Sequence, residues 1–544
     1  MPNTPPAGES EDESYAMRKA RERIAEALRD SHDFLSLSYL GLTKVPEVLG
    51  QMKALHSLSL DSNKLTSVSD ALGQLIALQR LDLSQNQLAS VSDALGQLKS
   101  LQTLLLHNNQ LTTMPDALCQ LSALQSLVLA NNQLATLPES LGKLTALQRL
   151  NLSNNHFTTM PDALFQLAAL EELDVAHNQL TSVPETLGQM TTLRELDLRS
   201  NHLTSVPEAL GQMTALRKLS LHSNHLTNLP DSLGELKALR SLCLHTNQLT
   251  SVPDSLGKLS VLFWLDLSHN QLSSVPEALG QLKELSYLDL SNNQFKSVPE
   301  VLWKLKALSC LYLSNNELTS LPEKLGDLTT LEALGLENNQ LTSVPDSLWK
   351  LNALRTLSLT GNQITSVPVA IGKLSALFWL ELDNNQISSV PEELGNLKKL
   401  YKLSLSHNQL TSVPESLGNL EGLSKLFLVD NQLTRVPEVL GNLKELEDLD
   451  LSKNRLTSVP EALGNLAALR WLSLTDNQLI TLPESLRRLC TEGKLGVLFL
   501  HGNPALGLPP EVLGPRWEDV DDKNPPAEPA AILDYYFTHR AQSQ

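Results

Sequence analysis

From about residue 32 to residue 514 the apolar and polar positions recur in one order, LxxLxLxxNxLxxVPExLGxL, and the asparagine advances in 23-residue steps from Asn63 to Asn477. Asn503 follows after a three-residue expansion, and a degenerate first unit, FLSLSYLGLTKVP, has Leu40 in the asparagine position, which gives 21 repeats. The alternation in LxL predicts a short strand with both leucines on one side. Each strand must then pair in parallel with its neighbours, because a return segment separates successive copies. That segment, Pro-acid-x-Leu-Gly-x-Leu, predicts a short α or 3-10 turn. Its proline is tolerated in a helical first turn, its acid suits the helix dipole, and its glycine can end or tighten the turn. The asparagine amide falls at the bend after the strand, where it can satisfy backbone groups that would otherwise be buried unpaired.

This pattern resembles the leucine-rich repeat family over about nine-tenths of the chain. The resemblance implies an α/β fold: a right-handed leucine-rich repeat solenoid, or horseshoe, with a parallel concave β-sheet and short α/3-10 segments on the convex side. Physics agrees, since strands stack at about 4.7–4.9 Å while the bulkier outer segments spread further apart.

A stack of apolar layers needs a cap at each end. Residues 1–13, rich in Pro, Ser and acids, are expected to be disordered. Residues 14–31 predict a capping helix with Met17, Ala20, Ile24, Ala27 and Leu28 on one stripe; a membrane-surface or partner-binding helix is the alternative. The repeats occupy 32–514. Residues 515–544 read as a polar linker followed by a capping or docking helix from Ala530 to about Arg540. Ile532, Leu533, Tyr536 and Phe537 are its available packing residues.

"LHGNPALGLPPEVLGP" followed by "PAAILDYYF" resembles the segment that joins the leucine-rich repeats of bacterial Roco proteins to a Ras-like GTPase domain. That resemblance implies a recognition or regulatory arm whose tail docks on a GTPase domain. The chain has no GxxxxGK[ST] loop to cradle phosphates, so GTP binding by this chain is not implied.

Composition changes the picture in only a few places. The net charge of −18 comes from one slot, since twenty of the 21 repeats carry Asp or Glu after the Pro or Ser. Without those twenty, 40 acids face 42 bases, and with no basic stripe nucleic acid is not an expected partner. Four scattered cysteines fit neither a disulfide framework nor a zinc site and suit a reducing compartment. No secretory leader and no long apolar run is present in the sequence, so a cytoplasmic location without membrane insertion is expected.

Chemistry has little foothold. Cys490 could be a ligase-type nucleophile, but reads as a small buried apolar residue. Cys243 and His245 with His222 and His269 could hold a metal; histidine fills the same polar slots in other repeats, so solvent-facing side chains are the simpler reading. No catalytic residue, metal or cofactor is expected.

The two positions flanking the middle leucine of each strand point to the concave surface. There the candidate binding residues gather: Trp264 and Asp266, Tyr287 and Asp289, Tyr312, Trp379 and Glu381, then Phe427 and Trp471. Small residues at 333, 335, 356 and 358 lie between the rings, which predicts an aromatic-walled trough. Aromatics beside acids are common anchors of protein interfaces, so the expected role is a non-catalytic module that binds a protein or peptide. An acidic stretch, Glu172/Asp174 and Glu195/Asp197, precedes the rings. Phe263 and Phe378 stand at strand entrances beside the two tryptophans. Trp303 and Trp349 occupy the outer slot usually held by glycine, as convex packing or as a second surface.

Overall fold

A computed structural model describes residues 11–543; the expected disorder of the first ten residues lies outside them. Two compact units divide the chain, one of residues Met1–Gln271 and Val275–Leu282, the other of Leu272–Ser274 and Lys283–Gln544.

The first unit opens with helix α1 (Glu11–Arg29) and continues through eleven three-residue strands, β1 (Phe34–Ser36) to β11 (Trp264–Asp266). Neighbouring strands pair in parallel at a 23-residue register, for example Leu58 with Leu81 and Leu242 with Leu265. Their middle leucines are buried. Helix α1 starts three residues before the expected Ser14 and closes the first layer with Ala16, Ala20, Ile24 and Ala27. Leu28, placed on that stripe by periodicity, is 40% exposed. The buried face is therefore one step rotated toward Ala16, and Arg23 fastens the helix by donating to the Ser36 carbonyl at 3.0 Å.

The second unit holds ten strands, β12 (Tyr287–Asp289) to β21 (Val497–Phe499), again parallel, with the 23-residue register up to β20 and a 26-residue step, the expansion, from β20 to β21. After β20 (Trp471–Ser473) the expanded repeat replaces its 3-10 turn with helix α2 (Leu486–Thr491), and α3 (Pro510–Leu513) and α4 (Pro529–Ser543) complete the end. Ile532, Leu533 and Tyr536 are buried, and the Tyr536 hydroxyl accepts from the Leu482 N–H at 3.1 Å. Arg487 pairs with Asp534 and lies 5.3 Å over the Phe537 ring. The tail's apolar residues thus cap this chain's own last layers. Among the described residues no helix is long and apolar enough to cross a membrane.

Both units repeat the same outer segment, a five-residue 3-10 turn after each of β1–β19. The proline stands one residue earlier than expected, as an extended cap (Pro138, φ −66°, ψ 143°), and the acid opens the turn. That acid often serves the following repeat: Glu185 accepts from the Ala209 N–H at 3.1 Å, and Glu392 from Ser416 at 2.9 Å. The glycine does not end the turn. A Cβ on Gly234 would meet the Ser255 carbonyl oxygen at 2.2 Å, so the slot is kept empty to let the next turn approach. Trp303 and Trp349 fill that slot in their own repeats and are buried, with indole N–H groups that have no hydrogen-bond partner.

Asparagine is the ladder predicted from its position. In the first unit Asn132 donates to the Leu106 and Leu129 carbonyls, both at 3.0 Å, and accepts from Leu111 at 2.9 Å. In the second, Asn408 donates to Leu382 and Leu405 and accepts from Ile387. Each amide therefore links backbone groups of two successive repeats. Immediately before it the chain turns left-handed, with φ of 51–56° at residues as different as Gln85, Thr246 and Lys453.

Candidate functional site

In the first unit the outward strand face is charged and partly self-neutralised. Arg149 pairs with Glu172 at 3.0 Å, Arg194 with Glu171 at 3.1 Å and Arg199 with Asp197 at 3.4 Å. Burial pushes the Asp197 carboxyl above its ordinary range. The expected acidic patch is thus partly neutralised: Glu172 and Asp197 are ion-paired, and Asp174 accepts from the Asn151 amide at 2.9 Å. Beyond it His222 stacks on His245 with centroids 4.0 Å apart, and burial, with the neighbouring imidazole, lowers His222 to about 4. Trp264, at the end of this unit, is 36% exposed and Phe263 is 53% exposed, while Asp266 accepts from the backbone N–H and hydroxyl of Ser268.

The second unit carries the remaining predicted rings. Tyr287 and Tyr312 tilt against each other at 5.6 Å, and the Tyr287 hydroxyl reaches Asp289 at 3.4 Å. A Cβ on Gly335 would lie 2.7 Å from the Tyr312 ring. The expected trough is therefore partly filled: the small residue accommodates the neighbouring ring, and burial raises the Tyr312 phenol. Farther along, Trp379 and Phe378 are each 44% exposed. Phe378 stacks on Tyr401 at 5.0 Å and 7°, and lies 6.4 Å from Trp379. Beside them Lys402 pairs with Glu381 at 2.6 Å and sits 5.8 Å from the Phe427 ring.

At the end of this face the tail folds back. Trp517, from the short turn Trp517–Asp519, stands 6.2 Å from both Trp471 and Phe499, edge to face. Trp471 and Trp517, together with Phe427 and strand residues, line a half-open cavity of about 500 Å³.

A family model described as a leucine-rich repeat region matches residues 115–251, 252–360 and 370–503, more than half of the chain, and a second, described as a leucine rich repeat, matches 53–111 and 76–134. The chain belongs to the leucine-rich repeat family. Solved leucine-rich repeat structures agree. A protein of Leptospira interrogans is 36% identical with a TM-score of 0.61, the match covering 66% of this chain and 98% of that one. The Arabidopsis receptor kinase HAESA, in complex with the peptide hormone IDA and a co-receptor, is 29% identical with a TM-score of 0.61, covering 91% and 98%. YopM from Yersinia enterocolitica is 26% identical with a TM-score of 0.59, covering 88% and 95%. No curated protein matches the chain.

Burial pushes the Cys119, Cys243 and Cys490 thiols above their ordinary range, away from the thiolate a nucleophile needs. Among the described residues no group of three or more His, Cys, Asp or Glu could hold a metal ion.

Three aromatic contributors were not singled out from the sequence. Tyr401 lies one repeat beyond Phe378 in the same strand-entrance slot, and Phe499 occupies an outward slot of β21; register alone identifies both. Trp517 lies outside the repeats, where no register reaches it.

Proposed function

We propose that this leucine-rich repeat protein is a non-catalytic interaction module that takes a protein or peptide ligand on the outward strand face of its second unit. The observation that carries the reading is the Phe378, Trp379 and Tyr401 cluster. Its first two rings remain 44% exposed, although each has an aromatic neighbour within 6.4 Å. Large rings exposed together, flanked by a Lys402–Glu381 ion pair, match the aromatic core and charged rim of protein interfaces. HAESA, in complex with a peptide hormone, provides a precedent on a similar fold. A Ras-like GTPase partner has less support, because docking on Ile532, Leu533 and Tyr536 would displace them from this chain's own cap, where none is more than 4% exposed.

The test replaces Phe378, Trp379 and Tyr401 together by alanine and compares captured partners with those of the wild type, after circular dichroism shows an unchanged fold. Loss of specific partners is expected. An unchanged set of partners rejects this face as the binding surface.

A further inference from the structure

The cavity beneath Trp517 is half-open, walled by large rings, and lined by more acceptors and carboxylates than cations. His501 lines it and is 7% exposed. Its Nε2 lies 3.1 Å from the Gly514 carbonyl oxygen, which can only accept, so Nε2 carries the proton. Nδ1, the ring's other nitrogen, is buried with no hydrogen-bond partner.

Carboxylates outnumber cations in the lining. Of Asp448, Asp450, Asp476 and Glu518, the first is paired with Lys425 at 2.6 Å and the third with Arg516 at 3.8 Å. Asp450 is held by the backbone N–H and hydroxyl of Ser452. Neither it nor Glu518 has a cation in ion-pair contact among the described residues. Lys453 is the lining cation that remains, which leaves an excess of negative charge. The walls are Trp471, Trp517 and Phe427, whose ring faces also attract positive charge.

We propose that this cavity receives an arginine or lysine side chain of a protein ligand, with the cationic head against the Trp471 and Trp517 walls and near the Asp450 carboxylate. The assignment rests on the interaction reading above and adds the chemistry of one anchor. A cation satisfies what the cavity offers, since it brings donors to acceptors and charge to the unpaired carboxylates, whereas an acidic or purely apolar side chain leaves both unmet.

The probe is the capped tripeptide acetyl-Gly-Arg-Gly-amide, set against the same peptide with citrulline, which keeps the shape of arginine and removes its charge. The full chain, labelled with 5-fluorotryptophan and with resonances assigned by single Trp→Phe variants, is titrated by fluorine NMR. Saturable shifts of the Trp471 and Trp517 resonances are expected with the arginine peptide, together with at least tenfold weaker binding of the citrulline peptide. Asp450→Asn, whose amide oxygen can still accept from Ser452, should weaken arginine binding at least tenfold with the melting temperature retained. Should that variant fail to fold, Glu518→Gln in the exposed turn is expected to weaken binding in the same direction. Equal binding of the two peptides, absence of saturable shifts at these tryptophans, or undiminished binding in the folded carboxylate variants overturns the assignment. If the pocket assignment fails while partner capture still depends on Phe378 and Trp379, the cavity assignment alone falls. If that dependence is lost as well, the interaction reading falls with it.

Discussion

Phe378 and Tyr401 stand one repeat apart in the same strand-entrance slot and stack within 7° of parallel, 5.0 Å between centroids. The 23-residue register converts a sequence coincidence into a paired surface. Phe378 thus belongs to the exposed patch together with Trp379, and the patch is wider than the outward strand slots alone.

The left-handed bend before each asparagine gives a prediction about stability. Thr246 has φ 55° there and is exposed, although a β-branched residue is a poor occupant of that region. Several repeats place asparagine at the equivalent position, as at Asn131 and Asn154. Thr246→Asn is expected to raise stability by about 1 kcal/mol, measured by chemical denaturation. A neutral or destabilising result would reject strain at this position.

The repeat that lacks an acid gives a second. Val369 opens its 3-10 turn, is 62% exposed, and stands where other repeats have a carboxylate that accepts from a backbone N–H 24 residues later. Val369→Glu should supply that acceptor to the Glu393 N–H and stabilise the protein by about 0.5–1 kcal/mol. High salt should leave most of the gain if it comes from the hydrogen bond, and should erase it if it is only a long-range charge effect.

A pH dependence follows from the histidine stack. Burial and the nearby His245 lower His222 to about 4, from about 6.5 in an unfolded chain. Between those values the unfolded state binds the proton more readily. The stability this group contributes is therefore present above about pH 6.5 and is lost as the pH falls toward 4. The stability difference between wild type and His222→Gln, followed by urea unfolding across this range, should move in favour of the variant on acidification. A pH-independent difference would contradict the lowered value.

Elements governed by the period were legible in the sequence: the leucines of the core, the asparagine ladder, and the outward placement of Trp264 and Trp379. What the period does not encode was missed or misread. The glycine slot reads locally as a helix terminator, but its cause is a carbonyl oxygen in the next repeat. Gly335 reads as an open floor, yet the Tyr312 ring occupies the space. Trp517 belongs to a tail without a register, and its return over β20 and β21 depends on tertiary packing against Trp471 and Phe499. Trp303 and Trp349 read as either packing or surface, and burial decides for packing.

Because each asparagine side chain binds only its own repeat and the one before it, every amide bond in the ladder is defined by an offset and none by an absolute address. Excision or duplication of one whole 23-residue unit from the interior would rejoin donors and acceptors of the same kind, whereas loss of a single residue would misalign the junction. The gene can thus lengthen or shorten this array in fixed quanta, and the outward side chains can diversify on a frame that does not register how many copies it contains.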